Sequence, residues 1–439
     1  MHARPNLIFI VADDLGYADL GCYGGRDAEF GPVSPVLDGM AAHGLRFTQG
    51  YSNSPVCSPT RFALMTARYQ YRLRGAAEEP INSRSRGSPT LGLPPEHPTL
   101  PSLLRHAGYR TALIGKWHLG YPPAFGPLAS GYEEFFGPMS GGVDYFTHAD
   151  SAGRHDLYEG TAERATDGYL TDLITQRALD WVQRMAKGNA PFFLSLHYTA
   201  PHWPWETRDD RELAHNLKGS LFHLAGGNIH TYRRMIHHMD EGIGQLLDTL
   251  HQLGQMDNTL LVFTSDNGGE RFSDNWPLVG GKMDLTEGGI RVPYIAHWPA
   301  VIPAGAVSAQ HCLTMDWSAT LLDAAGVMAH ADRPLDGVSV LPVLREPATH
   351  FARPMHWRMN HRSQRAHRDG DWKYLRVDGN DYLFNIAEDE RERANRAVLE
   401  PERLERLRAA WQAWNDSMPP IPEDATVSLG YSVKDMPQR

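Results

Sequence analysis

Cysteine is scarce in this sequence: Cys22, Cys57 and Cys312 are all that its 439 residues contain. They are widely spaced and form no C-x-x-C, which excludes a disulfide framework and a thiolate zinc site. Any cysteine with a chemical role must act alone. No block of Lys or Arg occurs, and 42 basic residues against 52 acidic ones leave a formal charge of -10. Nucleic acid is therefore not an expected partner. No apolar run is long enough to span a bilayer, so no membrane association is expected. The run nearest the N-terminus, Leu7 to Ala12, is too short for a signal sequence and meets Asp13-Asp14 at once. With no targeting segment in the sequence as it stands, the expected location is cytoplasmic. Internal repeats and low-complexity tracts are not evident.

What is present fits a soluble globular chain, at 41% hydrophobic and 21% charged residues. Four apolar runs have the length of buried strands: Leu7 to Ala12, Thr111 to Ile114, Phe192 to Leu196 and Thr259 to Thr264. Between them lie helical patterns. Residues 229 to 253 repeat Tyr232, Ile236, Met239, Ile243, Leu246, Leu247, Leu250 and Leu253 on one stripe, and residues 168 to 187 carry a similar one. Alternation of this kind predicts an α/β fold, a large mostly parallel sheet sandwiched by helices. After Asp336-Gly337 the texture changes to short strands, 371–377 and 381–386, about the turn Asp378-Gly379-Asn380, with a helix near 401–414. The expected division is a catalytic body over 1–345 and a small antiparallel sheet with one helix over 346–439. Residues 76 to 99 read as a long loop.

Ligands of open α/β sheets bind beyond the carboxyl ends of the strands. Those ends here are Asp13-Asp14, Gly115-Lys116-Trp117-His118, Ala200-Pro201-His202 and Ser265-Asp266-Asn267-Gly268. Any one of these aspartates would serve equally as a helix cap or turn residue. Together, Asp13, Asp14 and Asp266 would repel one another unless a cation intervened. With Asn267 they make an all-oxygen set suited to a hard divalent ion, calcium or magnesium.

Cys57 opens Cys57-Ser58-Pro59-Thr60-Arg61, ahead of a helix-compatible run from Phe62 to Tyr69. Ser58 is placed to cap and Pro59 to take the first helical position, which puts the cysteine at an electropositive helix N-terminus. A lone cysteine is equally often an inert buried residue, and spacing by itself does not separate the two.

The stretch C-S-P-T-R resembles the C-x-P-x-R signature read by the formylglycine-generating machinery, and G-K-W-H-L-G at 115–120 resembles the second sulfatase signature. The opening A-D-D-L-G-Y-A-D-L-G-C-Y-G, T-S-D-N-G-G at 264–269, G-G-K-M-D-L-T-E-G-G-I-R-V-P at 280–293 and L-F-N-I-A-E-D-E-R-E-R-A-N at 383–395 resemble type I sulfatases of the alkaline phosphatase superfamily, in order. One departure is Met65-Thr66-Ala67-Arg68, where the family usually has glycine before the arginine; it bears on local helix packing.

The resemblance implies an alkaline phosphatase-like fold and hydrolysis of sulfate monoesters to an alcohol or phenol plus sulfate. Cys57 would become formylglycine, whose hydrate offers one hydroxyl to attack sulfur and a second to expel sulfate, where an ordinary serine or cysteine would be left sulfated. One divalent ion, calcium with magnesium or manganese as alternatives, would be held by Asp13, Asp14, Asp266 and Asn267. Arg61 would orient the diol, Lys116 and His118 would sit beside it with His118 as base, and His202 and Lys282 would contact the sulfate. Expected partners are a small-molecule or saccharide sulfate ester and, during maturation, the formylglycine-generating enzyme. The rivals are a phosphonate monoester or phosphodiester hydrolase of the same superfamily, an inactive sulfatase-fold binding protein, and a cysteine hydrolase using Cys57 unmodified. His237, His238 and Asp240 are expected to have packing or surface roles in their helix rather than to bind a metal, since no second ligand set lies near them in sequence. Trp203, Trp205, Tyr145 and His148 are candidates to border the site.

Overall fold

A computed structural model describes residues 4–217, 221 and 226–429. All four anticipated strands form, each slightly longer than its apolar run: Asn6–Ala12, Arg110–Gly115, Phe192–His197 and Thr259–Ser265. They are adjacent in a ten-stranded sheet, in the order Thr259–Ser265, Asn6–Ala12, Phe192–His197, Arg110–Gly115. Glu134–Pro138 continues the parallel set on one side. On the other side Tyr294–His297 pairs antiparallel to Thr259–Ser265. Tyr294–His297 and Leu157–Glu159 run against the remaining strands, so the sheet is mixed but mostly parallel.

The uninterrupted apolar run of the central strand follows from burial on both faces. Ile8, Ile10 and Ala12 enter one core, and Leu7, Phe9 and Val11 enter the other. The first core is covered by the helices Leu170–Met185 and Ile229–Gln252, whose stripes Ile174, Trp181, Tyr232, Ile236 and Met239 point inward. Asn228 caps the longer helix, accepting from the N–H groups of His230 and Thr231. The second core is closed by residues of the Leu100–His106 and Thr314–Ala324 helices.

Toward the C-terminus, Met355–Arg358, Arg365–Asp369, Trp372–Val377 and Asn380–Asn385 form an antiparallel sheet, backed by the helix Pro401–Asp416. Its tightest hairpin turns through Asp378 and Gly379, both at positive φ (50° and 84°). Asn380, expected in the turn, opens the next strand instead. Positive φ at both central residues gives the twist a two-residue hairpin requires. Residues 76–99 hold only short 3-10 turns, in keeping with a loop. Among the described residues no helix is long and apolar enough to cross a membrane.

Candidate active site

The register of the four parallel strands brings their ends level. Val11 and Gly115 are both paired with His197, and Ala12 with Ser265. The polar residues that follow each strand therefore emerge on one edge. Gly115 is required there: at φ 116°, a Cβ on it would lie 1.8 Å from the His197 carbonyl oxygen.

Facing this edge is the helix Cys57–Thr66. It begins two residues earlier than its sequence implied, with Cys57 as its first helical residue and Val56, in extended conformation, as a cap without a side-chain bond. Ser58 does not cap. Its hydroxyl accepts from the N–H of Ile81, tying the helix start to the 76–99 loop, and Pro59 sits within the first turn, where it costs no hydrogen bond. The Cys57 thiol is 3.4 Å from Asp13 Oδ1 and 3.8 Å from Asp14 Oδ1.

Three cations meet three carboxylates around that thiol. Lys116 Nζ donates to Asp13 Oδ2 at 2.5 Å, and Lys282 Nζ to Asp14 Oδ2 at 2.6 Å. Arg61 donates through Nε and Nη2 to Asp266 Oδ2. All six side chains are essentially buried. Burial pushes the Asp13 carboxyl up to about 7, reinforced by Asp266 and opposed by Lys116 and Arg61. Burial acts on Asp266 too, but Arg61 and Lys116 outweigh it and hold that carboxyl below the usual range. The Cys57 thiol is pushed well up by burial and by Asp266.

The histidines are neutral, since burial first and nearby lysines second hold His118 and His202 well below the ordinary imidazole value. Hydrogen bonds set their tautomers. His118 Nε2 lies 2.7 Å from the Ile81 carbonyl and so carries the proton, leaving Nδ1 as a bare acceptor with no partner among the described residues. His202 Nδ1 donates to the Trp203 carbonyl at 2.7 Å, and its Nε2 faces Lys282 Nζ at 3.3 Å. The proton available at that corner is therefore the lysine's. Gly141 lets the loop close over His118, because a Cβ there would meet the ring at 2.3 Å.

Every residue anticipated for the site thus lies in one constellation. The tightest grouping of possible metal donors is Asp13, Asp14, Cys57 and His202, with ligand atoms within 4.8 Å of one another. Asp266 and Asn267 adjoin it: Asp266 Oδ1 takes the Asp14 N–H at 3.3 Å, and Asn267 Nδ2 donates to Asp14 Oδ1 at 2.7 Å. Asn267 Nδ2 also donates to the Gly268 carbonyl, which fixes the amide orientation. Its buried Oδ1 then has no hydrogen-bond partner among the described residues. An orphaned amide oxygen beside three carboxylates fits a hard cation.

Two supporting residues escaped the sequence reading. His197 stands beneath the site, with Nδ1 3.2 Å from the Lys116 carbonyl and 3.3 Å from Arg61 Nη1. Burial, then Arg61, lowers it to about 3. Its signal was present, since it ends a strand, but the apolar run stops one residue before it. Tyr232, read only as part of an apolar stripe, sends its hydroxyl to Asp19 at 2.6 Å and the Asp14 carbonyl at 3.4 Å. Among the bordering candidates, Trp203 lines the cavity over Cys57. Tyr145 supports it from behind, donating to the His202 carbonyl, while Trp205 packs on Phe272 and His148 beside His155. Asp240 accepts from the N–H groups of Val36 and Leu37, His237 lies 3.2 Å from the Val33 carbonyl and His238 packs on Tyr169, as packing roles require.

A mostly parallel sheet with carboxylates, lysines and a lone cysteine gathered at its carboxyl edge defines an α/β protein with its ligand site at that edge. Comparison with known proteins narrows the class. The family model described as Sulfatase matches residues 5–327. Human N-acetylgalactosamine-6-sulfatase is 34% identical over 363 residues, which cover 77% of this chain and 66% of that protein. The crystal structure of Ps i-CgsB in complex with k-i-k-neocarrahexaose superposes with a TM-score of 0.82 at 31% identity, covering 94% of this chain and 93% of that one. A phosphonate monoester hydrolase of Agrobacterium radiobacter shares the fold at TM-score 0.63 and 20% identity, over 94% of this chain and 95% of that one. The chain belongs to the sulfatase family. It spans 66% of the length of the N-acetylgalactosamine-6-sulfatase it matches.

Proposed function

We propose that this chain hydrolyses sulfate monoesters of saccharides, with a formylglycine made from Cys57 as nucleophile and one divalent ion, calcium, beside it. The observation that carries the reading is the placement of the Cys57 sulfur against Asp13 and Asp14, with Lys116 and Lys282 on the far oxygens of the same two carboxylates. That sulfur marks where the hydroxyls of a hydrated aldehyde would stand.

The aldehyde supplies two hydroxyls on one carbon, so that one can bond to sulfur while the other, on losing its proton, releases sulfate and restores the aldehyde. Asp13, Asp14, Asp266 and Asn267 would hold the ion, which adds positive charge facing the sulfate oxygens. The remaining work falls to the chain. Arg61, locked on Asp266, orients residue 57 from below. Lys116 and Lys282 would offer ammonium protons to the sulfate, and Lys282, beside His202, would assist the departing oxygen. His118 presents a bare Nδ1, the state a base requires to take the second hydroxyl's proton.

The saccharide assignment rests on the cavity wall. Beyond Cys57 it is mixed: Asn82, Ser83, Ser140, Asp150 and Ser151 offer polar groups, while Pro80, Ile81, Tyr121, Trp203, Leu221 and Leu429 add apolar and aromatic surface. Polar groups beside an aromatic face suit a sugar, which presents hydroxyls at its edges and C–H groups on its faces. The two similar proteins named for saccharides agree with this chemistry.

A single preparation tests the reading. Peptide mass spectrometry should find formylglycine at residue 57, and Cys57→Ala should abolish turnover. Sulfated monosaccharides should be hydrolysed, and an aryl sulfate should exceed the matched aryl phosphodiester in kcat/KM, because the diester must fit a second substituent among the sulfate contacts. A preference for the diester, or full activity with an unmodified thiol at 57, overturns the proposal.

A further inference from the structure

Lys282 is held in place by its backbone, and that backbone is irregular. Met283, the next residue, has φ 73°, a left-handed conformation that a side chain with a Cβ adopts only under constraint. The twist has a purpose in packing: Met283 and Leu285 turn into the core they share with Met355, Ala366 and Leu375, while Lys282 turns the other way, toward Asp14 and His202.

Successive N–H groups of this segment are tied down one by one. Lys282 donates to the Gly269 carbonyl at 3.1 Å, Met283 to Pro55 at 2.8 Å and Asp284 to Gly281 at 2.9 Å. The next N–H, that of Leu285, donates to Gln364 Oε1 at 2.8 Å, and Gln364 Nε2 donates to the Met283 carbonyl, also at 2.8 Å. One amide therefore brackets Asp284, holding the chain from the carbonyl of the twisted residue to the N–H two residues on. Gln364 is 1% exposed and comes from the C-terminal sheet, at the start of the Arg365–Asp369 strand. The turn that delivers it is itself constrained, with Arg362 and Ser363 at φ 55° and 47°.

We infer that Gln364 is a positioning residue for the active site: by clamping Met283 and Leu285 it sets the direction in which Lys282 leaves the chain. The inference rests on the role proposed above for Lys282. It gives the C-terminal sheet a part in the reaction although, among the described residues, no side chain of that sheet lines the cavity over Cys57, and it assigns the part to an amide, which offers both a donor and an acceptor at this spacing.

The test is a double-mutant cycle between Gln364 and Lys282, read in two ways: kcat/KM on an aryl sulfate, and binding of inorganic sulfate by calorimetry, which needs no turnover. Gln364→Met keeps the volume but not the clamp, and should lower both readouts by about ten- to a hundredfold, the cost of a displaced catalytic group. Gln364→Glu keeps the acceptor for Leu285 N–H and loses the donor to Met283, so it should fall between Gln364→Met and the parent. In a Lys282→Ala background, Gln364→Met should add no more than about a twofold further loss. Losses that multiply in the double variant would mean that Gln364 acts independently of Lys282 and would overturn the inference. So would a Gln364→Met protein with parental sulfate binding and turnover. Melting temperatures measured in parallel separate a loss of folded protein from a loss of aim. A Lys282→Ala protein as active as the parent would overturn the reading of the site itself, and the inference with it.

Discussion

Arg61 places both Nε and Nη2 on one oxygen of Asp266, Oδ2, at 3.0 and 2.8 Å. A side-on pair of this kind occupies one carboxylate oxygen and leaves Oδ1 to face Asp14, whose N–H it accepts. Asp266 is thus shared between the arginine beneath residue 57 and the acidic pair above it.

Removing it should act on both. Asp266→Ala takes from the buried Arg61 guanidinium its hydrogen-bonded carboxylate and leaves only Asp13, at 3.9 Å, as a charged partner, which costs up to about 3–5 kcal/mol of stability. Asp266→Asn keeps the volume and one acceptor, and should fold better. If Asp266 helps to hold the divalent ion, both variants, like Asp13→Ala, should lose it by elemental analysis and lose at least about a hundredfold in kcat. Metal retained at one ion per chain in Asp266→Ala would contradict the ligand assignment.

A second expectation concerns pH. Glu206 is fully buried, accepts the Tyr145 N–H at 3.1 Å, and is pushed up to about 9 by burial and by the neighbouring Asp144. With the folded value above the unfolded one of 4.5, the folded protein binds the extra proton between those limits. Its stabilising contribution is complete below 4.5 and declines as pH rises toward 9, by up to about 1.4 kcal/mol per pH unit. Glu206→Gln, neutral at every pH, should flatten this slope. Urea unfolding at acidic, neutral and alkaline pH would show parallel curves for the two proteins if Glu206 does not carry the effect.

The departure from the family pattern at Ala67 has a structural cost. Ala67 ends the helix that begins at Cys57, in left-handed conformation at φ 52°, and its carbonyl receives the N–H groups of Asp336 and Gly337. Left-handed backbone costs a residue with a Cβ roughly 1–2 kcal/mol, partly offset by the greater freedom of glycine in the unfolded chain. Ala67→Gly should therefore raise stability by a few tenths to about 1 kcal/mol and leave kcat/KM unchanged. A lower melting temperature would show that the Ala67 methyl contributes more through packing than its backbone strain costs.

Residues whose role follows from position along the chain were legible in the sequence. Asp13, Lys116 and Asp266 each follow a buried strand directly, and the strand run announces them. Cys57 and Lys282 were reached through motif resemblance, because nothing in local periodicity marks them. The start of the Cys57 helix was misplaced because Ser58 and Pro59 are good signals for a cap, and their competing contact, the Ile81 N–H, is distant in sequence. Gln364 and Tyr232 were invisible for the same reason. Each acts through two long-range hydrogen bonds to a segment 79 to 218 residues away, and a lone Gln or Tyr carries no spacing that would declare it.

The third hydrophobic core joins Tyr51, Val56 and Ala63 to Trp357, Ala366 and Phe384. Beside it Glu287 bonds to Lys373 and Arg368, and the Trp357 indole donates to the Ser52 carbonyl. The small sheet packs one face on this core and the other on its own helix, through Tyr374, Leu383, Leu407 and Trp411, while the helix bearing Cys57 turns Ala63 toward the sheet and Phe62, Leu64 and Met65 toward the main body. Heat or denaturant should release both in a single cooperative step. A chain cut where the Sulfatase match ends, at residue 327, would leave Met283 and Ala63 facing water, with the Cys57 helix loosened before any side chain around the thiol had been touched.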